Sequence, residues 1–344
     1  MDRAELDVTK RAVASSSFSQ SVPDEALALI ESQGLKFETG FDDFVCLSDN
    51  GKLVACGARS GYVLKMIAIA DSHQGTGVLG ELVTKLLLSA LSVGHDTVFV
   101  FTSPQNATSF KALNFRLLTT QGQVALLEYG PGLRSYIAEC TPKIVDGNNG
   151  AVVINGNPFT LGHQYLVEYA SKHVDWLYLF IVREDSSIFP FKTRLCMAQK
   201  ATGHLQNVTV LDTSRYAVSA GTFPSYFLKK LDTATENQMQ TDLHLFAQHI
   251  APAFNIAYRF VGQEPLCKTT AAYNETMKKV FESYAVKLIE IPRIIANGLP
   301  ISATRVRKAV AENDIETLKL LVPSTTMALL QSPPLHAITE AASN

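Results

Sequence analysis

Apolar positions in the first third of the chain fall into short runs separated by turn residues. Phe44–Leu47 and Leu53–Ala58 flank Asp49-Asn50-Gly51, which predicts a hairpin. A helical stretch near Glu25–Ser32 precedes it, and the run Val63–Ala70 reads as the next strand. Leu79, Leu82, Val83, Leu86, Leu87 and Leu91 then repeat at helical spacing, which predicts a helix over Val78–Leu91. Thr97–Thr102 reads as a strand, Asn106–Ala112 as a short helix, and residues 115–129 as a final strand pair. Turn chemistry concentrates in residues 130–150, at Gly130-Pro131-Gly132, Thr141-Pro142 and Asp146–Gly150, and marks a domain boundary.

Beyond that boundary strands and helices alternate. Apolar strands are predicted at Ala151–Ile154, Leu177–Val182, Val208–Leu211, Ile256–Val261 and Val286–Ile291. Helices are predicted at Gly162–His173, Lys192–Gly203, near Met239–Pro252, at Thr269–Ser283, and at Ala303–Glu312 continuing to about Leu330. Such alternation implies a doubly wound parallel sheet, with ligands beyond the carboxyl ends of the strands. The fold class is α/β, with domains expected at 1–140 and 141–344. No internal repeat or low-complexity tract interrupts this order; residues 12–22 are Ser-rich and read as a connector or loop.

Composition narrows the function. With 344 residues, 47% apolar and 18% charged, the chain has the profile of a soluble globular protein with room for two cores. A net charge of −2 removes a basic whole-chain footprint for nucleic acid, so phosphate contacts must be local. No run approaches the ~18 apolar residues needed to span a bilayer. Asp2, Glu5 and the lack of an early apolar run predict no signal peptide. Cys46, Cys56, Cys140, Cys196 and Cys267 form neither a disulfide framework nor a zinc site, and predict reduced thiols in a cytoplasmic protein. His173, His204, His244, His249 and His336 read as surface or satisfied histidines.

Candidate chemistry begins at Asn155-Gly156-Asn157-Pro158-Phe159-Thr160-Leu161-Gly162-His163, which joins the strand Ala151–Ile154 to a helix. Free N–H groups at a helix N-terminus favour phosphate. Gly162 removes a side chain where backbone must approach a ligand, and Thr160 and His163, three apart, can converge on one phosphate. Donors aimed at the oxygens around an α-phosphorus would lower the barrier to adenylyl transfer. About 140 residues later, Ile301-Ser302-Ala303-Thr304-Arg305-Val306-Arg307-Lys308 offers a second helix N-terminus. There Ser302 is a plausible N-cap, Ser302 and Thr304 supply hydroxyls, and Arg307 can take a distal phosphate bidentately. Arg305 reads as a solvated charge, and Lys192 equally as a phosphate ligand or an exposed lysine at a helix start.

These two segments together resemble the HxGH nucleotidyltransferases, a superfamily that includes phosphopantetheine adenylyltransferase. Phe189 and Arg194 fit the Phe-x-x-x-x-Arg pattern of that group. Its first histidine is Thr160 here, which keeps a hydrogen-bond donor and loses a possible charge. The resemblance implies a Rossmann-like nucleotidyltransferase domain, with Asn155, Gly156, Asn157, Phe159, Gly162, Lys192, Ser302, Thr304 and Arg307 around ATP.

In the first domain, His73-Gln74-Gly75-Thr76-Gly77-Val78 lies between strand and helix, where backbone can cradle a pyrophosphate. The order of elements, and the tail Ala107–Phe115, resemble a GNAT acetyltransferase, an α+β fold that binds coenzyme A at such a loop. Leu79 stands at the loop's final small position, with Gly80 one place later. No general base is evident, so binding of a CoA-like arm at Gln74, Gly75 and Gly77 is favoured over independent acetyl transfer.

A GNAT-like domain followed by a TxGH domain resembles the citrate (pro-3S)-lyase ligase family over essentially the whole chain. Phe189-Pro190-Phe191, Thr222–Phe227 and Gly262-Gln263-Glu264-Pro265 are similar to that family too. The resemblance implies ATP and Mg2+ as requirements, acetate as co-substrate, and the acyl carrier subunit of citrate lyase as partner. Thr160 and His163 would serve catalysis. Three alternatives stay open: a phosphopantetheine-adenylyltransferase-like enzyme, a bifunctional acetyl- and nucleotidyltransferase, and a nucleotide-binding scaffold.

Overall fold

The computed structural model describes residues 7–12, 22–183, 187–217, 232–264 and 268–331. It divides into two compact units, Met1–Ser135 with Ala220–Thr241, and Tyr136–Ser219 with Asp242–Asn344.

The first unit contains β1 (Asp7–Ala12), α1 (Asp24–Ser32), β2 (Asp43–Asp49), β3 (Lys52–Ser60), β4 (Val63–Ile69), α2 (Val78–Ser92), β5 (Val98–Thr102), α3 (Ala107–Lys111), β6 (Arg116–Gln121) and β7 (Val124–Tyr129). Its seven strands run in the order β1-β2-β3-β4-β5-β7-β6. The β2–β3 hairpin turns through Asn50 and Gly51, both at positive φ, as an Asn-Gly turn requires. Leu82 and Leu86 of α2 are buried in one core with Val45 and Leu47 of β2.

One joint in this sheet makes a cleft. β4 and β5 are the parallel pair and are joined only through Val63↔Phe99 and Leu64↔Val100. Just beyond, Met66 takes φ 55°, where the β3–β4 register shifts between Cys56 and Ala58. A bulge of this kind bends a strand and increases its twist. The ends of β4 and β5 are left unpaired with each other, and Ile67, Ile69, Val100 and Phe101 line the opening.

The second unit is built on five parallel strands in the order β10-β9-β8-β11-β12: β8 (Asn149–Ile154), β9 (Leu177–Ile181), β10 (Val208–Asp212), β11 (Ile256–Gly262) and β12 (Lys287–Ile291). From β8 the chain winds outward through β9 to β10, then returns to β11 on the other side of β8. The β8/β11 boundary is therefore the topological switch point, where parallel sheets open a ligand crevice. One face packs α5 (Leu161–Ser171), α6 (Phe191–Thr202), α10 (Ala303–Ala311), α11 (Ile315–Leu321) and α12 (Ser324–Leu330) around Val152, Leu179, Ile181 and Phe260. On the other, Phe254 meets Tyr178 and Phe180 edge-on at 5.1 and 5.4 Å. The end of α7 (Asp232–Leu245), which belongs to this unit from Asp242 on, runs through a π-helical turn (Phe246–Ile250) into α8 (Ala251–Ala253), and α9 (Lys268–Phe281) follows β11.

Some elements differ from the sequence reading. α4 (Gly132–Cys140) is a helix inside the segment read as turns. The stretch expected to be helical to about Leu330 is three helices, interrupted at Asn313 (φ 53°) and at Pro323 before α12. Ile295–Ala296 (β13) and Leu299–Pro300 (β14) form a small hairpin that the pattern did not announce. Thr222–Phe227, Pro265, Cys267 and His336 lie outside the described residues.

Candidate active site

The loop after β8 is fixed by local chemistry. Gly156 takes φ 61°, and Asn157–Pro158 is cis. Thr160 is the N-cap of α5, and its Oγ1 accepts the His163 backbone N–H at 3.3 Å. In return the Thr160 N–H donates to His163 Nδ1 at 3.0 Å, completing a capping box. Because Nδ1 accepts, the ring proton sits on Nε2. Burial and the nearby Arg293 pull the His163 pKa down to about 4, so the ring is neutral at pH 7. His163 is thus an N–H donor of fixed tautomer. Thr160 is only 2% exposed, with its hydroxyl committed to the cap.

The second motif meets the first. Ser302 caps α10, its Oγ accepting the Arg305 N–H at 3.3 Å. From the first turns of that helix, Arg307 Nη1 donates to the Asn157 carbonyl at 2.7 Å, and Nη2 donates to Thr304 Oγ1 at 3.0 Å. A Cβ on Gly162 would stand 3.6 Å from the Ile301 carbonyl oxygen, an ordinary contact, so α5 lies beside the segment entering α10 and packing alone does not demand glycine there. Two helix N-termini, each with unsatisfied N–H groups, therefore share one crevice. Arg305 differs from its reading as a solvated charge: Nη1 donates to the carbonyls of Ala296, Leu299 and Pro300 and pins the β13–β14 hairpin.

A buried guanidinium frames the crevice. Arg194, 0% exposed, donates from Nε to Phe189 O at 2.9 Å, and from Nη1 to Asn155 O and Oδ1 at 2.7 Å and Val182 O at 2.9 Å. It ties the loop after β8 to the end of β9. Asn155 Nδ2 donates to Ser187 Oγ, and Asn157 Oδ1 accepts the Phe189 N–H. Phe159 is fully buried, its ring 5.4 Å from that of His163, and so supports the histidine from beneath. Lys192 is exposed in the first turn of α6.

Arg293 is the site residue that the pattern did not single out. It follows the carboxyl end of β12, donates to Gln263 O at 2.7 Å, and pairs with Glu264. Its charge is felt at His163. The available signal was its place: a cation two residues past the last parallel strand. Among the described residues, no group of three or more Asp, Glu, His or Cys side chains could hold a metal ion.

In the first unit, Gln74 and Gly75 line the cleft between β4 and β5, and Gly77 is the N-cap of α2. Gly75 takes φ 75°. Gln74 Nε2 donates to Gln33 Oε1 and Asp71 Oδ1, both at 3.0 Å, which fixes the loop against α1. No helix among the described residues is long and apolar enough to cross a membrane.

Comparison with known proteins places this architecture. The family model for the citrate lyase ligase C-terminal domain matches residues 149–330. The chain is 35% identical over 326 residues to the citrate (pro-3S)-lyase ligase of Escherichia coli (strain K12), covering 92% of this chain and 93% of that protein. It is 40% identical over 286 residues to the same-named protein of Klebsiella pneumoniae, covering 81% and 84%. A solved GNAT family acetyltransferase from Elizabethkingia anophelis, with acetyl-CoA bound, matches 37% of this chain and 99% of its own at 14% identity and a TM-score of 0.28. Two relatives matched over most of their length and a family model over residues 149–330 make the chain a member of the citrate (pro-3S)-lyase ligase family of enzymes.

Proposed function

We propose that this enzyme activates acetate with ATP and passes the acetyl group to the thiol of a CoA-like arm on the acyl carrier subunit of citrate lyase. In the first step an acetate oxygen attacks the α-phosphorus. The bond from that phosphorus to its bridging oxygen breaks, and diphosphate leaves with the electron pair. In the second step the thiol loses its proton to solvent and its sulfur attacks the acetyl carbon. The carbon–oxygen bond to phosphate breaks, and AMP leaves.

The observation that carries this reading is the 2.7 Å bond between Arg307 and Asn157, which holds two helix N-termini on one crevice beside a neutral histidine. His163 donates from Nε2 to an oxygen of the α-phosphate as charge builds there. Thr160 positions that ring. Gly156, Asn157 and Gly162 shape the backbone cradle, with Asn155 and Phe159 as its frame. Ser302, Thr304, Arg307 and Lys192 take the distal phosphates. Mg2+ would arrive with the triphosphate and neutralise its charge. The arm's pyrophosphate is read at Gln74, Gly75 and Gly77. Cys46, Cys56, Cys140 and Cys196 are thiols rather than disulfides, which supports a cytoplasmic setting.

The test is diphosphate release from ATP and Mg2+, with and without acetate, and with phosphopantetheine as the rival acceptor. Acetate-dependent release supports the reading, and transfer to the carrier is then measured directly. Release only with phosphopantetheine replaces it with a dinucleotide-forming enzyme.

A further inference from the structure

A cation lies in the core of the second unit, on the face of the sheet opposite α5. Arg259, in the middle of β11, is 4% exposed, and its Nε has no hydrogen-bond partner among the described residues. Its guanidinium sits over the Phe246 ring at 4.4 Å, an arrangement that occupies one face and leaves the edge donors open. Asp242 is close enough to support the charge, and its Oδ2 also accepts the Tyr273 hydroxyl at 2.5 Å. A buried donor left without a partner is rare in folded proteins and calls for an explanation.

Arg259 lines a cavity whose walls include Val153, Phe180, Thr213, Phe246 and Ile250, with Asp242 at one side. About 30 Å³ of it is open to the centre of a water molecule. At roughly 10–15 Å³ per water, that is room for about two waters, or one very small organic acid. The position is specific too. Val153 and Phe180 are the next-to-last residues of β8 and β9, Thr213 is the first past β10, and Arg259 pairs with Ala151 across the switch point. The cavity therefore lies directly beneath the strand ends that carry the nucleotide loop. The π-helical turn supplies Phe246 and Ile250 to its wall. Such turns often mark functional sites.

We propose that this cavity is the carboxylate subsite: Arg259 holds the carboxylate of a two-carbon acid, and the apolar wall takes its methyl group. The inference rests on the acetate-activating reading and gives it a selectivity. Formate and acetate fit the space; butyrate does not.

The experiment pairs binding with turnover in the full-length protein. Binding of carbon-13-labelled acetate is followed by NMR for wild type and Arg259→Met, with ATP binding measured separately, and acetate-dependent diphosphate release is assayed in parallel. We expect acetate affinity to fall more than tenfold in the variant while ATP affinity stays within twofold. Equal acetate affinity in a wild type that does release diphosphate with acetate overturns the subsite and leaves the ligase reading standing. A wild type that neither binds acetate nor responds to it overturns both. Should Arg259→Met fail to fold, Ile250→Ala keeps the cation and enlarges the room. It should raise butyrate relative to acetate in kcat/KM at least tenfold, and an unchanged ratio overturns the proposal.

Discussion

Arg307 Nη1 stands 2.7 Å from the carbonyl oxygen of Asn157, although 150 positions separate them in the chain. One guanidinium thus joins the loop after the first parallel strand to a helix near the end of the described chain, while Nη2 holds Thr304. Arg307→Ala should lower kcat/KM for ATP by a factor equivalent to about 1.5–3 kcal/mol, the range for hydrogen bonds to charged groups. Lysine should restore little, because it lacks the planar fork that reaches two acceptors at once. Steady-state kinetics with varied ATP measure both.

His163→Ala should cost about 2.7–4 kcal/mol in the barrier to diphosphate release, as for other donors that stabilise charge developing in a transition state. A variant near the wild-type rate would remove His163 from the chemistry.

The same histidine makes a prediction about pH. Its folded pKa of about 4 lies below the ordinary 6.5, so the unfolded chain binds the proton more readily between those values. The contribution to stability is complete above about pH 6.5. It is lost as pH falls towards 4, by up to the order of 3 kcal/mol. Urea denaturation across that interval, compared between wild type and His163→Gln, reads this difference.

Gly150 tests the packing beneath the site. A Cβ there would stand 2.9 Å from the Phe260 ring, closer than real contacts allow, and 3.0 Å from Val174, tighter than most. Gly150→Ala should destabilise the protein by about 1–3 kcal/mol, typical of overpacking, as measured by denaturant midpoint.

In the first unit, nothing lies within 4 Å of a Cβ on Gly77, so Gly77→Asp should fold normally and place a negative charge at the N-terminus of α2. Acetyl transfer to the carrier should fall at least tenfold more than diphosphate release does. Equal losses in both would remove this loop from arm recognition.

The alternation of apolar runs with helical periods already carried the parallel, doubly wound class of the sheet, because strands buried on both faces leave uninterrupted apolar runs such as Leu177–Ile181. The loop after β8 and the caps of α5 and α10 were legible for a similar reason: turn, cap and glycine chemistry is local. What escaped the pattern depends on distant partners. β1, Asp-Val-Thr-Lys-Arg-Ala, has too few apolar residues to announce itself and is a strand because it pairs with β2. Arg194 stood out with Phe189 as a Phe-x-x-x-x-Arg match, but that spacing does not tell that its four acceptors lie on three different segments. Arg259 carried a faint local mark, a charge inside an otherwise apolar strand. Its empty Nε is visible only once the sheet is assembled.

The central place of β8 also bears on how this protein comes into being. β8 is synthesised before either neighbour, and β11 follows it by about 100 residues. Once β9 has paired, the other edge of β8 stays open until Ile256–Gly262 has left the ribosome. An unpaired apolar edge of that kind invites association with other chains. Nascent chains stalled between β10 and β11 should therefore engage chaperones most strongly, and release them when the second wing of the sheet closes.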